Sequence, residues 1–255
     1  MHRAVAVLSN RVETCVSPGR ENPGSSSGAA HWALGGAAHM ATADRARIRM
    51  GALALGLSAV LFGAFPFVRP FFRLDVFAPE ATLAAASPAV TSAPWLIAHL
   101  MGMGGFILLL GAFPALYAHL TAEDDSPRLF RATIASMAGV ALVLPMFGVE
   151  THALPAIGWT YLDGQPGIAP IVTLIYRGLG TVIMLIGLLL LAVSALTFAI
   201  AIWRRGTLPR WAALTWAVGL AAWLPLLPRP IRVIDGLLIG IGGVWLAATM
   251  WRRAR

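Results

Sequence analysis

The chain predicts an all-α polytopic membrane bundle of six transmembrane helices, with both termini cytoplasmic. Three observations carry this. The chain is 58% hydrophobic and only 12% charged, against about 25% charged residues in an ordinary soluble domain. Several apolar stretches reach the roughly 20 residues that cross a bilayer as a helix. The arginines gather at the ends of those stretches, alternately dense and sparse, as the positive-inside rule requires. Mean hydropathy is +0.76, and 255 residues suit one bundle rather than two domains.

Residues 1–44 stand apart. "SPGRENPGSSSGAAHWALGGAAH" (17–39) is rich in Gly, Ser and Pro and has no apolar period, so this extension is expected to be disordered. The apolar run "AVAVL" is too short for the h-region of a signal peptide. Met40 opens "MATADRARIRMGALALG", a short basic lead into a helix, which suggests translation from Met40. A native peptide from upstream of Met40, found by mass spectrometry, would overturn that expectation. Residues 45–255 form the transmembrane domain.

Six spans are expected: about 48–68, 94–120, 132–153, 171–203, 211–227 and 233–251. Pro94 suits the first turn of the second, where its missing N–H costs nothing. "RARIR" (45–49), Arg128 with Arg131, "RRGTLPR" (204–210) and "RRAR" (252–255) hold 11 arginines on one side. Arg69, Arg73, Arg229 and Arg232 lie in the opposite loops, with Arg177 near the interface. Trp95, Trp159, Trp203, Trp211, Trp245 and Trp251 fall near span ends, as an aromatic belt does. The outer loops, 69–93 and 154–170, are the long ones. Small residues in "GMGG" (102–105) and at Gly236 and Gly240 sit at helix-contact spacing.

The net charge of +8 and pI near 11.3 would suggest nucleic acid in a soluble protein. Here the topology accounts for them, and no nucleic-acid partner is expected. All 19 basic residues are Arg, a composition that points to a GC-rich bacterial genome. The lone Cys15 permits no internal disulfide.

Ionisable groups inside a membrane are costly and mark function by default. His99, Glu150, His152, Arg177 and Asp235 all fall toward the outer side. His99 lies about 7.5 Å along its helix from Pro94 at about 1.5 Å per residue. Glu150, His152, His99 and Arg177 are the candidate ligand-binding residues. Glu150 and Arg177 lie at similar depth on consecutive spans, so they are expected to form a structural ion pair that sets the register of span three on span four. The bland reading is that polar residues collect at helix ends because they reach water there; it suits His152 and Asp235 best. A metal centre from His99, Glu150 and His152 is not expected. Residues two apart on a helix diverge by about 200° and converge only if Pro145, Gly148 or Pro155 breaks the helix. No "CxxCH" motif, phosphate loop or catalytic triad is present, so no cofactor is assigned. Tyr161, Asp163 and Gln165 are candidates to rim an outer pocket.

At "WRRGTLPRW" (203–211) and "FGVETHALPAIG" (147–158) the chain resembles uncharacterised small integral membrane proteins of the actinobacterial type. The likeness spans most of the chain after Met40 and implies a six-helix inner-membrane bundle without supplying an activity. The expected function is therefore a non-enzymatic binding or scaffold protein of the bacterial plasma membrane. Its partners are the lipid bilayer and a membrane protein or a second copy of the chain. The alternatives are a small-molecule or lipid transporter with an outward polar cavity, and a membrane redox or haem protein.

Overall fold

The structure, a computed structural model, describes the backbone of residues 26–72, 75, 77–121, 126–165, 167–224 and 227–254, with side chains from residue 45 onward. The described residues are helical and contain no strand. By contact they divide into two units at Ala41/Thr42. All that follows concerns Thr42 onward. The backbone of α1 (Ser26–Val68) is helical from within the stretch expected to be disordered; residues 1–25 of that stretch lie outside the described residues.

After α1 come α2 (Pro79–Val90), α3 (Ala93–Leu120), α4 (Pro127–Gly148), one turn of π-helix (Val149–Ala153), α5 (Leu154–Leu162), α6 (Ala169–Arg177), α7 (Leu179–Arg205), α8 (Arg210–Ala222) and α9 (Arg229–Arg253). Five segments are long and apolar enough to cross a membrane: Arg45–Val68, Ala93–Leu120, Pro127–Leu162, Leu179–Arg205 and Arg229–Arg253. Three sequence expectations are corrected. The span expected at 132–153 is longer at both ends, because the helix runs through the π-turn into α5 rather than stopping at Pro155. The span expected at 171–203 is broken at Gly178, which is extended at φ −79°, ψ 173° and separates α6 from α7. The span expected at 211–227 is helical only over the 13 residues of α8, too short on its own for the roughly 20 that a crossing needs. The long loops expected at 69–93 and 154–170 also carry helices, α2 in one and α5 with the start of α6 in the other.

Small residues bring the helices together. A Cβ built on Gly139 would stand 2.7 Å from the Gly187 carbonyl oxygen, and one on Gly187 the same distance from the Gly139 carbonyl. α4 and α7 therefore meet backbone to backbone, the contact that glycine allows in a membrane. Gly63 of α1 faces Gly240 of α9, and Gly236 meets Pro66, as the Gly236/Gly240 spacing predicts. Gly102 faces the Phe147 ring, where a Cβ would come within 2.6 Å. The contacts fix direction as well. Arg49 lies over Trp251, while Pro66 lies against Gly236, so α1 and α9 run antiparallel. Large apolar side chains such as Leu189, Val193, Ile200 and Ile241 point outward and stay exposed, the arrangement a lipid-facing surface needs.

Candidate functional site

The site grows from one helix defect. Pro155 has no N–H and its ring clashes with the carbonyl four residues earlier in a regular α-helix. The chain responds at Val149–Ala153 with a π-turn, in which Leu154 N–H bonds the Val149 carbonyl, five residues back. The Glu150 carbonyl thereby loses its α-helical donor, Leu154. Its π-helical donor would be residue 155, the proline. The indole of Trp95 takes the vacant place, donating from Nε1 to the Glu150 carbonyl at 2.8 Å. Such π-turns recur at functional sites. Ser92 caps α3 with its side chain toward the Trp95 N–H, so Trp95 enters from the first turn of a well-started helix.

The Glu150 side chain is 4% exposed and is held by two helices. Tyr176 Oη donates to its Oε1 at 2.9 Å. On its other side His99 Nε2 lies 3.4 Å from Oε2, both side chains out of solvent. The imidazole orientation follows from its second nitrogen. His99 Nδ1 stands 2.8 Å from the Trp95 carbonyl oxygen, which can only accept, so Nδ1 carries the hydrogen. Nε2 is thereby turned to Glu150, and it has no hydrogen-bond partner in the arrangement observed. His99 and Glu150 thus face each other as a buried pair inside the bundle. Aromatic groups wall it in: Trp95 lies 4.0 Å from the His99 ring by centroid, and Phe65 and Phe147 each 5.9 Å.

Two arginines complete the charge balance. Arg69 follows α1 directly, its guanidinium 4.9 Å over Trp95 and 5.1 Å over Phe71. Burial pulls it below the usual arginine range, and Glu150 and Tyr176 pull it back. Arg232 bonds Asp235 Oδ2 and the Leu224 carbonyl, at 3.1 and 3.2 Å, and lies 4.2 Å over Trp223. It interacts electrostatically with Asp235 first, then with Arg69 and Glu150. Both members of this second pair are 2% exposed. Phe65 and Trp223 join the two halves, since Phe65 contacts His99, Trp223 and Arg232.

The sequence candidates separate accordingly. His99 and Glu150 are brought together. Arg177 is not: it is exposed and lies 5.0 Å over the Phe77 ring. The expected Glu150–Arg177 ion pair is therefore not among the contacts of the described residues. The neighbouring residue Tyr176 points inward instead, because adjacent side chains on α6 diverge by about 100°. His152 is exposed; the π-turn leaves it on the opposite side of the helix from Glu150, as the two-residue spacing requires. Among the described residues no three His, Cys, Asp or Glu side chains lie close enough to share a metal. Trp95, Tyr176, Arg69 and Arg232 were missed. The signals were present in the four-residue spacing of Trp95 and His99 and the three-residue spacing of Arg232 and Asp235, which place each pair on one helix face.

No protein-family model, curated protein or solved structure matches this chain. The site must therefore be read from its own geometry. Elsewhere, Tyr161 and Gln165 rim a cavity of about 350 Å3, together with Glu80, Gly164 and Gly167. Asp163 is not among its lining residues.

Proposed function

We propose that the chain is a multi-pass binding or scaffold protein of a bacterial plasma membrane, with six crossings and both termini cytoplasmic. α8 supports the sixth crossing. It lies antiparallel along α9, with Gly219 against Ile239 and Trp216 against Gly242, and the chain continues through buried Trp223 to the depth of Phe65. The packing of these thirteen helical residues along α9 supports a crossing beside it. The arginine bias supports the orientation.

The observation that carries the functional reading is the closure of the polar cluster. Glu150 and His99 are 4% and 0% exposed, and the carboxyl is bonded by Tyr176 and faced by His99 from within the chain. Groups so committed hold helices in register and leave recognition to the outer surface and a neighbouring chain. A second reading, a transporter, draws on the buried His99–Glu150 pair, since paired ionisable groups inside a bundle mark transport pathways.

Carbodiimide labelling in native membranes separates the two. A scaffold leaves Glu150 unlabelled in folded protein, and chemical crosslinking in those membranes yields one discrete adduct, with a second copy or one other membrane protein. Labelling of Glu150 that a transported solute suppresses would overturn the scaffold reading in favour of transport. Single cysteines in a Cys15→Ser background, at Thr91, Gly206 and Leu227, probed with a membrane-impermeant maleimide, test the topology. Thr91 and Leu227 should label from outside and Gly206 from inside.

A further inference from the structure

At the end of the bundle opposite Glu150, α4 and α7 part around a cavity of about 360 Å3, lined by Ser126, Arg128, Leu129, Thr197, Ile200, Ala201, Arg204 and Arg205. That volume is within the roughly 300–1,000 Å3 of small-molecule sites. We propose that this cavity binds the phosphodiester headgroup of an anionic phospholipid. Its two walls differ. Arg128, from the first turn of α4, and Arg204, from the last turn of α7, are exposed and supply charge. Guanidinium groups take phosphate oxygens in pairs. Arg205 also donates to the Leu120 carbonyl, which fixes its stem across the end of α3 and holds the rim.

The other wall is apolar. Leu129, Ala201 and Ile200 line it, and below Ile200 the lipid-facing residues Leu196 and Val193 continue along α7. Acyl chains therefore have a surface to follow. The depth fits a headgroup. Trp203 and Trp211 meet edge to face at 5.3 Å beside the cavity, and Arg210 stands 5.9 Å over Trp203, the aromatic and arginine signature of an interface. Glu123, Asp124 and Asp125 precede Ser126 in the chain. Against these three stand five arginines, 128, 131, 204, 205 and 210, so the two segments together remain positive. Basic cavities between helices at the cytoplasmic boundary are how membrane proteins take anionic headgroups. The site shares no residue with the Glu150 cluster, so it stands whether or not that cluster is structural.

The test uses the full chain, purified in detergent, stripped of lipid and followed by native mass spectrometry. Dioleoyl phosphatidylglycerol, dioleoyl phosphatidylcholine and inorganic phosphate are added back separately. One phosphatidylglycerol should bind above background, with phosphatidylcholine and inorganic phosphate much weaker. Arg128→Gln with Arg204→Gln should weaken it about 25-fold, at about five-fold per arginine near a membrane surface. Arg128→Lys with Arg204→Lys, which keeps both charges but gives up the paired guanidinium donors, should recover only part of the loss. Arg252→Gln with Arg253→Gln makes the same charge change outside the cavity and should cost less than about two-fold. An equal loss in that control would overturn the site in favour of diffuse attraction. Inorganic phosphate binding as tightly as phosphatidylglycerol, displaced by neither lipid, would overturn the lipid and leave a free-phosphate site.

Discussion

Removing the Tyr176 hydroxyl tests the Glu150 cluster most directly. Tyr176→Phe deletes one hydrogen bond to a buried carboxyl, 2.9 Å long, and leaves the ring in place. Hydrogen bonds to charged groups contribute about 1.5–3 kcal/mol in soluble proteins. Side-chain hydrogen bonds between membrane helices measure lower, about 0.6 kcal/mol on average and about 1.7 at most. This bond belongs near the top of the membrane range, because Glu150 is buried and its other neighbour, His99, lies at 3.4 Å without hydrogen-bond geometry. A coupling of about 1.5 kcal/mol is therefore expected between Glu150→Ala and Tyr176→Phe. Glu150→Ala alone should cost about 3 kcal/mol or more, since it strips the partner from a buried group. The assay is reversible unfolding of the full chain in mixed micelles, followed by near-ultraviolet circular dichroism over the four variants of the cycle. The same cycle with Arg177→Ala should return a coupling near zero, because Arg177 is exposed over Phe77. A Glu150–Tyr176 coupling below about 0.3 kcal/mol, or an equal coupling to Arg177, would refute the assignment.

The other predictions concern neighbouring contacts. Trp95→Phe keeps most of the packing but strands the Glu150 carbonyl, and should cost about 1–3 kcal/mol in the same unfolding assay. Either Arg232→Met or Asp235→Leu alone should destabilise by about 3–5 kcal/mol, while the pair together recovers much of it, since a lone buried charge costs more than none. Gly139→Leu should cost about 1–3 kcal/mol or prevent folding, because its Cβ already meets the Gly187 carbonyl at 2.7 Å; Gly148→Ala, with nothing within 4 Å, should be neutral or mildly stabilising. Burial, then Glu150, raises the Tyr176 phenol well above its usual pKa of 10.0. Its contribution to stability is therefore fully present below pH 10 and falls as pH rises above the unfolded value. The 295 nm difference titration of wild type minus Tyr176→Phe should show no ionisation near pH 10.

The spans were legible in the sequence because membrane burial acts on length and composition, which a single chain displays. The 28 residues of α3 and the 25 of α9 lie where hydropathy and arginine spacing place them. The breaks were harder. Gly178 is one glycine among 26, and only its extended conformation shows that α6 and α7 part there. α8 ends at Ala222 while the apolar run continues to Leu227, because Pro225 and Pro228 deny N–H donors to a continuing helix. The site was half legible. Glu150 and His99 were marked by the rarity of buried charge. Their partners depend on helix rotation, which hydropathy does not encode: on α6 one position separates inward Tyr176 from outward Arg177. Arg69 and Arg232 counted as loop charges, yet rings lie beneath both, so they remain in the bundle rather than reaching water.

The position of the defect ties these facts together. A regular helix through Glu150 would bury its carboxyl while using its carbonyl internally, and Trp95 would have no acceptor there. The π-turn forced by Pro155 changes both conditions at one residue. It releases the carbonyl, which draws in the Trp95 indole, and Trp95 in turn supplies the carbonyl that fixes His99 Nδ1–H. His99 Nε2 is then turned toward Glu150, 3.4 Å away. The chain of dependence runs from a proline without an N–H to an imidazole of fixed orientation on the neighbouring helix α3. Pro155→Ala should therefore do more than straighten a helix. With an N–H restored, the 149–153 turn can revert to α-helical bonding, Glu150 rotates, and Trp95 loses its acceptor. The indole Nε1–H resonance of Trp95, assigned by its absence in Trp95→Phe, reports the outcome. It should move upfield in Pro155→Ala as its hydrogen bond is lost. An unchanged resonance would show that the π-turn is held by the surrounding helices and not by the proline.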